Sequence, residues 1–164
     1  MSIYAGIGSR ETPQKVMEYM SEAAIQLAAS DYVLRSGGAD GADTAFEKGC
    51  LRAKGRMEIF LPWSGFNGRQ EDGIQYLLQP KELFEEAARI AQEFHPAWSR
   101  LSRGAKALMA RNSFQVLGPD LKSPTDLIIC WTPGGKIYGG TGQALRISKS
   151  FNIPIINYGD HYSE

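Results

Sequence analysis

Short apolar runs alternate with amphipathic helical segments along the chain, and this alternation constrains the fold more than any other feature. The runs predicted as strands are Ile3–Ile7, Tyr32–Leu34, Met57–Leu61, Leu127–Trp131 and Ile153–Asn157. They are mostly apolar without a polar alternation, which is typical of strands covered by helices on both faces of a sheet. Because helices separate the strands, the sheet is predicted to be parallel. We therefore predict an α/β three-layer sandwich with a mostly parallel sheet of about five strands, in the order 3-2-1-4-5.

Helix signals mark the segments between these strands. In the first segment, Thr12 is predicted as the N-cap and Pro13 as the first helical residue. The other predicted helices start near Asp40 to Asp43, at Pro80, at Gly104 and at Ala144, and residues 63–79 are predicted to be irregular. A chain of 164 residues without a linker or repeat has the size of one domain, so residues 1–164 are predicted to form a single domain.

Composition argues against several classes of protein. Equal numbers of basic and acidic residues, 18 of each, disfavour a protein that binds nucleic acid mainly by charge. No apolar run approaches the ~20 residues that span a bilayer, and the first residues do not resemble a signal peptide, so no membrane contact is expected. Cys50 and Cys130 are predicted to be buried thiols in a reducing compartment, which indicates a cytoplasmic protein. No metal-ligand spacing is present, and we expect neither a metal nor a cofactor.

More than half of the 18 glycines lie at the carboxyl ends of predicted strands one, two and four, with Gly6 just inside the first strand. They are Gly6 and Gly8, then Gly37, Gly38 and Gly41, and finally Gly134, Gly135, Gly139, Gly140 and Gly142. The carboxyl ends of parallel strands share one edge, where α/β proteins bind ligands and where helix N-termini attract phosphate. A single glycine loop would be explained by the strand-to-helix turn alone, but three that converge predict a phosphate-bearing ligand. The spacing matches neither GxGxxG nor GxxxxGK[ST], which disfavours a dehydrogenase or an NTPase.

Four short motifs together resemble a known superfamily. "AGIGSR" with Thr12-Pro13, "LRSGGADGAD", "ARN" and "GGTGQA" are similar to the SLOG superfamily of Rossmann-like proteins, over about residues 3 to 157. This superfamily includes the DprA-type DNA-processing proteins and the Lonely-guy phosphoribohydrolases, and the chain most resembles small stand-alone DprA-like members, many of them phage-encoded. The resemblance implies a Rossmann-like fold and a homo-oligomer, either a dimer or a larger assembly.

The resemblance also implies a set of binding residues. In the superfamily the GSR and SGG loops bind nucleotide phosphate or ribose, which implicates Gly8, Ser9, Arg10, Ser36, Gly37 and Gly38. The PGGxGTxxE motif is matched in part, by Gly134 and Gly135 after Pro133 and by the phosphate-holding turn Gly139, Gly140 and Thr141. Arg111 in "LMARN" matches an arginine that acts in N-glycosidic cleavage in the phosphoribohydrolases.

The catalytic glutamate of that motif has no counterpart, because Gly142, Gln143 and Ala144 occupy the positions where it would stand. Cleavage of an N-glycosidic bond calls for a carboxylate, and the amide of glutamine cannot take a proton at neutral pH. Asp40 or Asp43, on the second glycine loop, is the alternative source of a catalytic carboxylate. Asp43 has two further interpretations, as a helix N-cap or as a contact to a ribose hydroxyl.

Arg10 and Asn112 each have a structural and a functional interpretation. Arg10 is predicted to bind phosphate through its guanidinium, and the alternative is a surface salt bridge to Glu11 or Asp43. Asn112 interrupts an apolar helical stripe, so its buried amide needs partners. It is predicted either to hydrogen-bond the backbone of the last glycine loop or to contact a base or ribose.

Three aromatic residues near the carboxyl edge are candidates for stacking on a base. They are Trp63 and Trp131, which follow strands, and Tyr138, inside the last glycine loop. The alternative for each is packing beneath the loops, but at least one is expected to contact the ligand.

The preferred hypothesis is a sensor or sequestering protein for a nucleotide or a nucleotide-derived small molecule. One alternative is an N-glycosidase that acts on nucleoside monophosphates. The other is single-stranded DNA binding of the DprA type, which would weaken steeply with salt. Arg100, Arg103, Lys106 and Arg111 form the one basic segment, which either steers an anion or is a solvated helix face.

Overall fold

The computed structural model describes residues 2–160 and contains a six-stranded, entirely parallel sheet. The strands are β1 (Ile3–Gly6), β2 (Val33–Ser36), β3 (Met57–Phe60), β4 (Tyr76–Leu77), β5 (Leu127–Cys130) and β6 (Ile155–Asn157), in the spatial order β4-β3-β2-β1-β5-β6. The main helices are α1 (Gln14–Ala29), α2 (Ala42–Arg52), α3 (Lys81–Phe94), α4 (Arg103–Leu117) and α5 (Gly139–Ser150). The predicted α/β sandwich and the order of its five predicted strands are confirmed.

The two faces of the sheet are covered by different helices. Tyr4 of β1 packs with Phe46 of α2 in a core that α1 also joins. The next residue, Ala5, packs on the opposite face in a core shared by α4 and α5. Alternate side chains of a strand point to opposite faces, and β1 is therefore buried on both faces of the sheet. Cys50 and Cys130 are buried free thiols, one in each of these cores.

Strand β4 corrects the prediction that residues 63–79 are irregular. It has only two residues, which is too short for any hydrophobic pattern to reveal. Its register is Ile59 opposite Tyr76, and the turn before it is fixed by Asp72, whose Oδ1 accepts the backbone N–H of Ile74, Gln75 and Tyr76. The strand forms because the side chain of Asp72 orders the chain locally.

Two predicted helix starts are also corrected. Thr12 is not the N-cap of α1, because Pro13 occupies that position and the Thr12 hydroxyl donates to Ser9 O at 2.6 Å. Helix α5 begins at Gly139, five residues before the predicted Ala144. Its first residue, Gly139, has a φ of +63°, in the left-handed region that favours glycine, and a contact from α4 described below holds the turn.

Segment 63–79 is tied to α2 by a buried ionic cluster. The carboxylate of Glu47 accepts from Arg69 Nε at 2.9 Å and from the Tyr76 hydroxyl at 2.8 Å. Glu47 is buried and Arg69 is mostly buried, so the carboxylate depends on this cation. Within residues 2–160, no helix is long and apolar enough to cross a membrane.

We predict that Arg69→Met lowers the free energy of unfolding by about 3 kcal/mol, because it leaves the Glu47 carboxylate buried without its cation. The matched control is Arg89→Met, whose salt bridge to Glu86 is exposed and should contribute less than about 1 kcal/mol. Urea denaturation of the three proteins measures both effects. Equal, small losses in the two variants would contradict the structural role of the cluster.

Candidate functional site

The glycine-rich loops enclose a cavity of about 390 Å³ at the carboxyl edge of the sheet. The loop after β1, the start of α2, the face of α4 and the first turn of α5 contribute to its walls. The predicted site residues that line it are Gly8, Ser9, Arg10, Asp43, Arg111, Asn112, Tyr138, Gly139, Gly140 and Thr141. Residues far apart in sequence therefore meet in one place, as the parallel topology requires.

The other predicted site residues lie outside the lining of this cavity. Asp40 is exposed, and its Oδ1 accepts from Asn67 at 3.0 Å. Ser36 is fully buried and donates to Gly6 O at 2.6 Å. The remaining ones are Gly37, Gly38, Trp131, Gly134 and Gly135.

The first turn of α5 presents unpaired backbone donors to the cavity. The N–H groups of Gly139, Gly140 and Thr141 precede the first intrahelical bond, from Gly142 N–H to Tyr138 O at 2.9 Å. No side chain caps this end of the helix. Three donors and the positive end of the helix dipole therefore face the space where an anion can bind.

Arg10 contributes an exposed positive charge to the wall of the same cavity. The salt bridges found among residues 2–160 do not involve Arg10, so the alternative pairing with Glu11 or Asp43 is wrong. Its guanidinium is available for a ligand, and it lies close enough to Arg111 to disfavour the charge there.

Arg111 is a buried cation that is fixed by the ends of two strands. Its Nη1 donates to Gly37 O and, at 3.4 Å, to Phe60 O, while its Nε donates to Asn112 Oδ1 at 3.2 Å. Burial lowers the pKa of the guanidinium, and the carboxylate of Asp43 opposes that shift. A side chain at Gly37 would collide with the guanidinium, which explains the glycine there.

Asn112 hydrogen-bonds the backbone of the last glycine loop, which is one of the two roles predicted for it. Its Nδ2 donates to Gly140 O at 3.0 Å, so α4 holds the first turn of α5. The amide also lines the cavity. A buried amide on an apolar stripe thus sets the position of the glycine turn.

Asp43 is the buried carboxyl group of the cavity. It is the second residue of α2 and accepts from Ala39 N–H at 3.3 Å, so the N-cap interpretation is wrong. Gly41 precedes the helix, with a φ of +82° that only glycine adopts easily. Burial raises the pKa of Asp43 to about 6, although the Arg111 guanidinium and the N–H groups of Ala39 and Gly8 favour the ionised form.

Gln143 faces away from the cavity. Its Nε2 donates to Ala91 O of α3 at 2.8 Å, and its Oε1 accepts from Arg146 at 2.8 Å. The position equivalent to the superfamily glutamate is therefore used to join α5 to α3. Asp43 and Glu11 are the carboxyl groups that line the cavity.

The three candidate aromatics occupy different environments. Tyr138 lines the cavity and is 55% exposed. Trp63 packs edge-to-face on Phe66 outside the lining, and Trp131 is buried in the core, where its Nε1 has no hydrogen-bond partner within residues 2–160. Of the three, Tyr138 is the aromatic residue whose ring can stack on a ligand in the cavity.

Several residues that line the cavity are not predicted from the sequence, above all Gln115, with Leu108 and Met109. Helical spacing could have pointed to these residues. One face of α4 carries, at intervals of three or four residues, Leu108, then Arg111 and Asn112, then Gln115. That signal identifies one face of a helix but does not tell which neighbour the face meets. No cluster of three or more metal-ligating side chains occurs within the described residues.

A parallel sheet with glycine-rich loops around a cavity at its carboxyl edge defines a Rossmann-like α/β protein. Solved structures with the same fold include the molybdenum cofactor carrier protein of Chlamydomonas reinhardtii, with a TM-score of 0.59 and 14% identity over 96% of this chain and 76% of the carrier. They also include DNA processing protein A of Helicobacter pylori, described with a single-stranded DNA binding mode, with a TM-score of 0.59 and 20% identity over 95% of this chain.

The chain spans 64% of the length of that DNA processing protein. At these identities the similarity shows the fold alone. No protein-family model matches the chain, and no curated protein matches it. Any function must therefore be argued from the site.

The pKa of Asp43 predicts a specific pH dependence of stability. The folded protein binds this proton more tightly than the unfolded chain, so the contribution is greatest below pH 4 and is lost as the pH rises through about 6. Relative to Asp43→Asn, the wild-type protein should therefore be about 2 kcal/mol more stable at pH 4 than at pH 7. Urea denaturation at the two pH values measures the difference, and a pH-independent difference would contradict the assignment.

Proposed function

We propose that this protein binds a nucleotide or a nucleotide-derived small molecule in the cavity at the carboxyl edge of the sheet, as a sensor or sequestering protein of the SLOG type. The observation that carries the proposal is the uncapped first turn of α5. Its three free N–H groups face a cavity that also contains the exposed guanidinium of Arg10. Together they form a site for one phosphate group.

The remaining walls suit the rest of a nucleotide. Tyr138 offers an exposed aromatic face near the phosphate site, and Leu108 and Met109 add apolar surface. A volume of about 390 Å³ falls in the usual range for small-ligand sites, ~300–1,000 Å³.

The N-glycosidase remains a second candidate because of Asp43. A buried carboxyl group with a raised pKa, beside a buried arginine in a ligand-sized cavity, is the arrangement expected of a general acid or base. The position of the superfamily glutamate cannot supply that group, since Gln143 is bonded to α3. Of the two carboxyl groups that line the cavity, Asp43 and Glu11, Asp43 is the buried one with the raised pKa, and hydrolysis would be expected to depend on it.

Binding of single-stranded DNA is the weaker alternative. The net charge is zero, and the site is a cavity of about 390 Å³ with donors for one anion. A strand of DNA is normally bound along an extended basic groove, and its affinity falls steeply with salt.

The central experiment is calorimetric titration of the protein with nucleoside 5′-monophosphates and with the matching nucleosides. Monophosphates should bind at least about tenfold more tightly than nucleosides, because charge-assisted hydrogen bonds to phosphate are lost in the latter. Mass spectrometry of the recovered ligand should show intact nucleotide. Release of free base that is abolished by Asp43→Asn would favour the hydrolase, and salt-sensitive binding of oligonucleotides alone would favour the DNA-binding protein.

A matched pair of variants tests the helix N-terminus directly. Gly140→Pro removes one N–H donor at a first-turn position where proline is tolerated, and we expect it to weaken monophosphate binding by roughly tenfold. Gly140→Ala keeps the N–H, and its methyl group would make only an ordinary 3.6 Å contact with Met109 Cε. It should bind nearly as well as the wild type. Equal affinities in all three proteins would place the phosphate elsewhere.

A further inference from the structure

The floor of the cavity is formed by four polar side chains that are more than nine-tenths buried, and Asn112 among them is bonded to Gly140 O; the other three are Asp43, Arg111 and Gln115. The donors of Arg111 are largely used by backbone carbonyls and by Asn112, and one oxygen of Asp43 accepts from Ala39. Gln115 differs from the others, because no hydrogen bond is found for its side-chain amide within residues 2–160, and its polar atoms are not among those sealed from solvent without a partner. The amide therefore opens on the cavity, where a ligand can bind it.

The side-chain amide of Gln115 lies against the backbone of Gly37. A methyl group at Gly37 would collide with both Gln115 Nε2 and Arg111 Nη1, so the amide and the guanidinium lie side by side against this glycine. Arg111 in turn interacts electrostatically with Asp43. The amide of Gln115, the guanidinium of Arg111 and the carboxyl of Asp43 therefore form one polar cluster.

Charge and shape decide which part of a nucleotide this floor can bind. A phosphate on the floor would face the buried carboxyl of Asp43, whereas the N–H groups of α5 and the guanidinium of Arg10 offer it donors and a positive charge, with Glu11 as the acidic residue beside Arg10 in the lining. A planar base matches the exposed ring of Tyr138 and the apolar Leu108 and Met109. Hydroxyl groups match the floor, because each donates one hydrogen bond and accepts others, and the floor supplies a carboxyl acceptor and amide donors.

We propose that Gln115 and Asp43 bind the vicinal hydroxyls of a ribose, so that the protein selects ribonucleotides over 2′-deoxyribonucleotides. This inference rests on the proposed function, in which the same cavity holds a nucleotide phosphate. One hydroxyl donates to the carboxyl of Asp43, and its neighbour accepts from the amide of Gln115. Removal of a hydroxyl leaves the buried amide or the carboxyl without its partner again.

The test compares matched ligands on the unmodified protein. Adenosine, guanosine and cytidine 5′-monophosphates are titrated beside their 2′-deoxy and 3′-deoxy forms. Each ribonucleotide should bind roughly 10- to 100-fold more tightly than either of its deoxy forms, as expected when a buried polar group loses its partner. Equal affinities for a ribonucleotide and its 2′-deoxy form would overturn this inference.

A substitution assigns the effect to Gln115. Gln115→Met keeps the length of the side chain and removes its hydrogen bonds, so the discrimination against one of the two deoxy forms should fall to within about threefold, while Asp43 maintains the discrimination against the other. Gln26→Met, on the exposed face of α1, is the matched control and should keep the full preference. An undiminished preference in Gln115→Met would overturn the assignment, and the ligand comparison on unmodified protein remains decisive if that variant does not fold.

The outcomes separate this inference from the proposed function. Tight binding of monophosphates without discrimination of the sugar refutes ribose recognition and leaves the phosphate site standing. Failure to bind any monophosphate refutes both.

Discussion

The geometry of the cavity depends on one buried guanidinium. Arg111 of α4 donates to carbonyl groups at the carboxyl ends of β2 and β3, through Gly37 and Phe60, and so fixes the helix relative to the sheet edge. It also provides the positive charge beside Asp43, whose carboxyl would otherwise be still harder to ionise. Breaking a buried ionic arrangement of this kind is costly, which makes the floor of the cavity rigid.

The first turn of α5 is held by the same part of the molecule. Asn112, next to Arg111, bonds Gly140 O, and further along α5 Gln143 and Arg146 donate to carbonyl groups of Ala91 and Phe94 on α3. These bonds place a glycine-rich, uncapped helix end in one position before any ligand arrives. Binding to such a preformed donor set avoids much of the entropy cost of ordering a loop.

Predictions from sequence were accurate where the signal was local and repeated. The apolar runs gave the strands and their order, because parallel topology with helical crossovers leaves few arrangements. They missed β4, which depends on the side chain of Asp72, and the start of α5, which depends on a bond from Asn112. Arg111 was recognised through a motif, whereas Gln115 was not, because a glutamine on a helix is usually solvated.

The sequence by itself determined the parallel α/β architecture and the collection of glycine loops at one edge, since both follow from hydrophobic periodicity and chain direction. Only the tertiary structure decided which polar residues face the cavity. It placed Asp43 inside and Asp40 outside, although they are three residues apart, and turned Gln143 toward α3 while leaving Gln115 without a partner. The direction of a side chain at a helix start, and the neighbour that it meets, are set by long-range packing rather than by local sequence.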